Sequence, residues 1–278
     1  MQITRAFLKE HGLLPRKVLG QHLLFDGRVL GDVVTALDVR PGDRVIEIGA
    51  GCGTLTERLL EVIGAVGGAG AALTSIEIDA RYADFLARTF GAHERFRVLH
   101  ADVLKLVHVF GEGAKVVGNL PYYISSPILR MLFRHSDRIP VIVVMLQKEV
   151  GMRLCAGPGD RDFGLLSIMR MLHYDAEIVR YVDRRLFMPA PEVDSAVVRL
   201  RAHEPLLNAE DEERLLHLLK QAFGARRKML KNTLKFLGAP EVVERFCNEA
   251  DIDIRDRAEN ISLERWIRLL NVSRPGTS

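Results

Sequence analysis

The sequence predicts an α/β fold, an open and mostly parallel sheet flanked by helices, followed by a small all-helical domain. Three features carry that expectation. From the N-terminus to His203, short apolar, β-branched runs alternate with segments whose apolar residues recur at helical spacing. The glycine-rich turn Gly49-Ala50-Gly51-Cys52-Gly53 joins one such run to one such helix. Beyond His203-Glu204-Pro205 only helical patterns remain, so the expected domains are residues 1–203 and 204–278.

The elements follow in order. Gly20 interrupts the N-terminal segment, and Gln21-His22 ahead of Leu23-Leu24 reads as a loop over a ligand or as a surface segment leading into a helix. Asp26 precedes that helix, whose apolar stripe is Val29, Leu30, Val33, Val34 and Leu37. Pro41-Gly42-Asp43 is a turn, residues 44–48 are a strand, and Thr54 opens a helix carrying Leu55, Leu59, Leu60 and Ile63. The glycines between strand and helix let the backbone approach a ligand at a helix N-terminus, or simply close a tight turn. Their spacing is GxGxG, not the dinucleotide GxGxxG, and no Lys-Ser or Lys-Thr follows as in a P-loop.

Residues 66–72 read as a loop and 73–77 as a strand ending in Glu77, an acid placed to accept from both hydroxyls of a ribose. Asp79 caps a helix with Phe85, Leu86 and Phe90. Residues 96–99 form a third strand, after which Asp102 suits an adenine amino group or serves as a cap. Glu47, Glu77 and Asp102 therefore stand at three successive strand ends beside the glycine turn.

A fourth strand, 115–118, leads into Asn119-Leu120-Pro121-Tyr122. These residues suit methylation of an exocyclic amine on a base. Such an amine is a poor nucleophile because its lone pair is delocalised into the ring. An Asn oxygen and a backbone carbonyl can accept its two N–H bonds and favour a pyramidal nitrogen, while Pro121 helps hold the carbonyl outward and Tyr122 offers a stacking face. The alternative is an ordinary Pro-Tyr turn after a strand.

Ser125-Ser126-Pro127 start the next helix, residues 140–146 are a strongly apolar strand, and Gln147-Lys148-Glu149-Val150 enters a helix ending near Gly157-Pro158-Gly159. Residues 163–174 read as a helix and 176–182 as a strand. The Pro-rich stretch from Phe187 to Ser195 forms a stiff loop before strand 196–200, with Phe187 a stacking surface or a core anchor. Helical patterns then cover 210–223, 225–237, 240–249 and 263–270. Lys220, Arg226, Arg227, Lys228, Lys231 and Lys235 lie in a stretch without an acid, which reads as a phosphate-binding surface or a solvated helix face.

Composition bounds the function. The chain has 278 residues, 48% of them hydrophobic, which suffices for a large and a small domain. No run approaches the ~20 apolar residues of a membrane helix, and the charged N-terminal segment does not read as a secretory signal. Cys52, Cys155 and Cys247 are widely separated, so neither a disulfide framework nor a metal site is expected, and a cytoplasmic location is. With a net charge of +3, any nucleic-acid surface has to come from local patterning.

Taken together, the motifs resemble those of the KsgA family of ribosomal RNA adenine dimethyltransferases, from about Lys17 to Leu270. The matching segments are Gly20-Gln21-His22-Leu23-Leu24, with His where many members have Asn, and Glu47 to Gly53, with Ala50 where Pro is common. Asn119-Leu120-Pro121-Tyr122, Gln147 to Val150, Phe187 to Ser195, Ala222-Phe223 through Lys228, and Arg257-Ala258-Glu259-Asn260-Ile261-Ser262 also match. The resemblance implies a Rossmann-like class I methyltransferase sheet and S-adenosylmethionine as cofactor. It implies, as substrate, two adjacent adenines in the 3′-terminal hairpin of 16S rRNA within a partly assembled small ribosomal subunit, with a monomeric enzyme and no membrane or metal.

By the same resemblance, Gln21, His22, Leu24, Glu47, Gly49, Gly51, Gly53, Glu77, Ile78, Asp102, Val103 and Asn119 hold the cofactor. Asn119, Leu120, Pro121 and Tyr122 form the amine site, with Phe187 stacking on the opposite face of the flipped base. Lys220, Arg226, Arg227, Lys228 and Lys231 contact RNA. The rivals are a 23S rRNA adenine-N6 methylase of the macrolide-resistance type, a DNA adenine-N6 methylase, and a non-catalytic RNA-binding assembly or transcription factor on the same scaffold. The intact Asn119 and Tyr122 speak against the last. A nicotinamide oxidoreductase is disfavoured by the glycine spacing.

Overall fold

The computed structural model describes residues 5–66, 70–225 and 228–274. In chain order its strands and helices are α1 (Arg5–Glu10), β1 (Leu23–Leu24), α2 (Gly27–Leu37), β2 (Arg44–Ile48), α3 (Thr54–Ala65), β3 (Ala72–Glu77), α4 (Ala80–Phe90), β4 (Phe96–His100), β5 (Ala114–Asn119), α5 (Ser125–Phe133), β6 (Val141–Gln147) and α6 (Lys148–Cys155). They continue with α7 (Leu165–Met171), β7 (Tyr174–Val182), β8 (Phe187–Met188), β9 (Ser195–Ala202), α8 (Ala209–Phe223), α9 (Leu230–Thr233), α10 (Pro240–Glu249) and α11 (Leu263–Val272).

Seven strands form one sheet in the order β4-β3-β2-β5-β6-β9-β7. The first five are parallel, whereas β9 runs antiparallel to both β6 and β7. The interior strand β6 is buried along nearly its whole length, which its continuous apolar run requires of a strand covered on both faces. Strand β7, at the edge, alternates instead. Helix α2 begins where the Asp26 carboxylate accepts from the Arg28 and Val29 amides, and its apolar stripe packs with Leu59, Ile63, Val117 and Val143 into one core. Asp79 and Ser262 cap α4 and α11 in the same way, and Pro240 opens α10.

The chain divides into two compact units, Met1–Gly151 with Tyr174–His203, and Met152–His173 with Glu204–Ser278. This corrects the expected division at 203/204 in one segment: residues 152–173 belong with the C-terminal helices. Phe163, Ile168 and Leu172 are buried in one core with Leu215, Leu219, Trp266 and Leu269, so long-range packing and not chain order assigns them.

Two expected helices are shorter than their patterns. The 163–174 segment is helical only over Leu165–Met171, because Tyr174 already pairs with Ala202 on β9 and its hydroxyl donates to the Ile139 carbonyl. Within 225–237 the described chain forms one short α-helical turn, α9, and a 3₁₀ turn at Lys235–Leu237. The amides of Leu230 and Lys231 donate to the carbonyls of Asp256 and Ile254. Tertiary partners thus take donors that a continuous helix would use internally.

Candidate active site

A cleft with about 1100 Å³ of empty space, partly open to solvent, lies at the carboxyl ends of β2, β3 and β5. The chain proceeds from β2 outward to β3 and β4, then returns to β5 on the other side of β2, so the cleft sits where the strand order reverses. The two central strands approach closely there. A Cβ on Gly118 of β5 would lie 2.3 Å from the Ile48 carbonyl oxygen of β2, so only glycine fits. Gly49 and Gly51 turn the chain out of β2 with φ of 73° and 55°, the left-handed region that glycine enters at little cost.

Carboxylates line one wall. Glu47 is 1% exposed; its Oε2 accepts from the Thr56 hydroxyl at 2.7 Å and the Ser75 hydroxyl at 2.6 Å, while its buried Oε1 has no partner. Burial pushes this carboxyl up to about 7, against the two hydroxyl bonds that favour the anion. Glu77, at the end of β3, accepts from the Gly51 amide with Oε2 and the Asp79 amide with Oε1, both at 2.8 Å. Burial raises its pKa as well, and the two amides oppose that rise. Each oxygen keeps a second lone pair for a ligand. Asp102 caps the turn after β4 by accepting from the Leu104 amide at 3.0 Å, and it lines the same cleft.

The N-terminal segment covers this wall through a defined set of bonds. Gln21 Oε1 accepts from the Arg16 amide at 2.7 Å, and its Nε2 donates to Asp79 Oδ2 at 3.1 Å. Arg81 pairs with Asp79 and donates to the carbonyls of Gly12 and Leu14. Burial alone would raise the Asp79 carboxyl, but the bonds from Arg81 and Gln21 outweigh it and hold the group down at about 2. Leu23 and Leu24 form β1, paired antiparallel with β8, which seats both leucines at the cleft.

Asn119 ends β5, and its Nδ2 donates to the His22 carbonyl at 2.8 Å. A carbonyl oxygen only accepts, so this bond fixes which way the amide points and leaves Oδ1 without a donor among the described residues. The His22 ring stacks on Tyr122 with centroids 5.5 Å apart, and its Nδ1 donates to the Pro189 carbonyl at 2.7 Å. The Tyr122 hydroxyl is 2.6 Å from Ser195 Oγ at the start of β9. Burial raises the phenol pKa, partly opposed by the Ser195 bond, so Tyr122 stays neutral at physiological pH. Three distant segments thereby hold an amide oxygen and an aromatic ring at one end of the cleft.

Gln21, His22, Leu24, Glu47, Gly49, Gly51, Glu77, Ile78, Asp102, Val103, Asn119, Leu120, Pro121 and Tyr122 all line this cleft. Two expected site residues do not. Gly53 caps α3 at φ 84°, and a Cβ there would lie 2.8 Å from Phe90 and 2.9 Å from Leu86, so close packing requires glycine there. Phe187 pairs with Leu24 and is 5% exposed, its ring packed in the core of the first unit. Leu30, Val33, Ile128 and Met145 are among the further apolar residues of the lining. Sequence reading missed them because their periodicity matches that of any core stripe. Ser195 closes the Pro-rich loop motif, yet nothing local marks it as the partner of Tyr122.

Lys220, Lys228 and Lys231 belong to the second unit and are exposed; Arg226 and Arg227 lie outside the described residues. Among the described residues no group of three His, Cys, Asp or Glu side chains could hold a metal ion, and no helix is long and apolar enough to cross a membrane.

The family model described as ribosomal RNA adenine dimethylase matches residues 13–274. Among curated relatives, the ribosomal RNA small subunit methyltransferase A of Moorella thermoacetica is 37% identical, with 95% of this chain and 94% of that protein covered. The protein of the same name from Picosynechococcus sp. is 38% identical, with 92% and 96% covered. Among solved structures, a dimethyladenosine transferase from Plasmodium falciparum is similar at a TM-score of 0.73 and 26% identity, over 89% of this chain and 96% of that one. The 23S rRNA methyltransferase ErmE is similar at 0.68 and 28% identity, over 90% and 98%.

Proposed function

The chain belongs to the ribosomal RNA adenine dimethylase family, and from that premise we propose that it transfers methyl groups from S-adenosylmethionine to the N6 amines of two adjacent adenines in the 3′-terminal hairpin of 16S rRNA. The acceptor is a partly assembled small ribosomal subunit, and the enzyme acts as a monomer. The observation that carries the reading is the fixed Asn119 amide, its Oδ1 left open beside the Tyr122 ring where the strand order reverses.

The residues fit the donor. An orphaned buried carboxyl oxygen on Glu47 and the row of acids along the wall suit a ligand that carries positive charge and several N–H and O–H donors. Glu77 would hold the ribose hydroxyls with its remaining lone pairs, Asp102 the adenine amino group, and Ile78 and Val103 the faces of the adenine ring. Gly49 and Gly51 leave room for the amino-acid end. S-adenosylmethionine, when bound, supplies an electrophilic methyl group.

The rest of the chemistry belongs to the chain. Asn119 Oδ1 and the Leu120 carbonyl accept the N–H bonds of the target amine, and both bonds strengthen as its nitrogen becomes pyramidal and positive. Tyr122 holds the base by stacking, backed by the His22 ring and anchored by Ser195. In-line placement of acceptor nitrogen and methyl group supplies most of what remains. The product ammonium is acidic enough to need no dedicated base. Lys220, Lys228 and Lys231 bind RNA phosphates.

Methyl incorporation from labelled donor tests the reading on three acceptors: small subunits lacking the modification, 23S rRNA and DNA. Incorporation into small subunits alone, at two neighbouring adenines, is expected. Preferential labelling of 23S rRNA would move the chain to the resistance-type activity.

A further inference from the structure

In the second unit one aromatic side chain faces solvent by construction. The 3₁₀ turn Lys235–Leu237 is anchored by Leu234, which is fully buried, and by Leu237, which packs on the core of that unit. At 3₁₀ spacing these two share one side of the turn, so Phe236 between them points outward and is 46% exposed. The His217 ring of α8 meets it nearly at right angles, with centroids 6.3 Å apart, and sets the plane of the phenyl ring.

The surroundings of the ring are cationic. Lys220 follows His217 by one turn on α8, and Lys231 and Lys235 precede Phe236; all three are exposed and form no ion pair among the described residues. The sequence from His217 to Phe236 contains no acid, and Glu213, one turn before His217, bounds the patch. A lone exposed aromatic is ordinary, but one braced by a second ring among unpaired cations is not. Every nucleobase offers a π face, and unpaired RNA is held by such rings with lysines on the flanking phosphates. An apolar protein segment would have no use for the cations.

We propose that Phe236 is a stacking platform for an unpaired RNA base whose flanking phosphates lie against Lys220, Lys231 and Lys235. This rests on the RNA-binding reading of the second unit.

The test uses the full-length protein with two probes, a single-stranded RNA oligonucleotide and a fully paired RNA duplex, titrated at several salt concentrations. Trp266 is buried, so Phe236→Trp adds one exposed reporter. Single-stranded RNA should quench that reporter. Phe236→Ala and the similarly bulky Phe236→Leu should bind single strands about tenfold or more weakly with an unchanged salt slope, and Phe236→Tyr should restore affinity. Lys231→Gln with Lys235→Gln should instead flatten the slope by about 0.7 per lysine.

If the lysine variant flattens the slope but Phe236→Leu binds as wild type, the RNA surface stands and the stacking role is overturned. If neither variant changes binding, the RNA reading of this unit fails and takes the proposal with it. Equal losses for duplex and single strand, or a reporter that single-stranded RNA leaves unchanged, would also overturn it.

Discussion

Replacing Glu47 with Gln should remove a large part of the pH dependence of this protein's stability. The side chain is buried behind the glycine turn, with Oε2 bonded to Thr56 and Ser75 and Oε1 bonded to nothing. Burial raises its carboxyl from an ordinary 4.5 to about 7, so the folded state holds the proton more tightly than the unfolded chain does. At 1.36 kcal/mol for each tenfold change in proton affinity, that gap corresponds to about 3 kcal/mol. The stabilisation is fully present below pH 4.5, where both states are protonated, and is lost as pH rises toward and through about 7.

Gln carries no titrating proton, so the stability of the wild type minus that of Glu47→Gln should fall by about 3 kcal/mol between pH 4.5 and about pH 8. Glu77 is raised by burial too and contributes a slope of the same sign in both proteins, which the difference largely cancels. Urea unfolding across that range, followed by circular dichroism, supplies both curves. A difference that stays flat, or rises with pH, would show that the folded protein holds Glu47 as an anion and would refute the burial argument.

Three further outcomes follow from the same geometry. Asn119→Ala should slow single-turnover methyl transfer about 10²–10³-fold while donor and subunit affinities stay near wild type; a normal chemical rate would make the motif structural. Glu77→Ala should weaken S-adenosylmethionine binding by about 1.5–3 kcal/mol, read by calorimetry, and also lower the melting temperature, because the amides of Gly51 and Asp79 lose their acceptor. Gly53→Ala, at φ 84° and facing Phe90 and Leu86, should destabilise the fold by about 1–3 kcal/mol yet leave donor affinity of the folded fraction unchanged, since Gly53 does not line the cleft.

Much of this protein was written locally. A β-branched run ending in an acid, a glycine turn and a capped amphipathic helix are decisions made within about ten residues of chain, which is the range over which pattern and propensity act. That is why Glu47, Glu77, Asp102 and Asn119 could be placed at strand ends from sequence alone, and why the resemblance carried by their order pointed to the right family.

Tertiary structure decided what needs partners from afar. The orientation of the Asn119 amide is set by a carbonyl 97 positions away, and the hydroxyl beside Tyr122 comes from 73 positions away. Gly53 and Gly51 look alike in the motif, but the neighbours of one are Phe90 and Leu86 while the amide of the other binds Glu77. Phe187 reads equally well as a platform or an anchor until β8 pairs with β1 and seats it in the core. Residues 152–173 join the C-terminal helices because Phe163, Ile168 and Leu172 find their apolar partners there. Burial and hydrogen-bond partnership are properties of the packed chain, and the free energy that selects among locally equivalent arrangements exists only once distant segments meet.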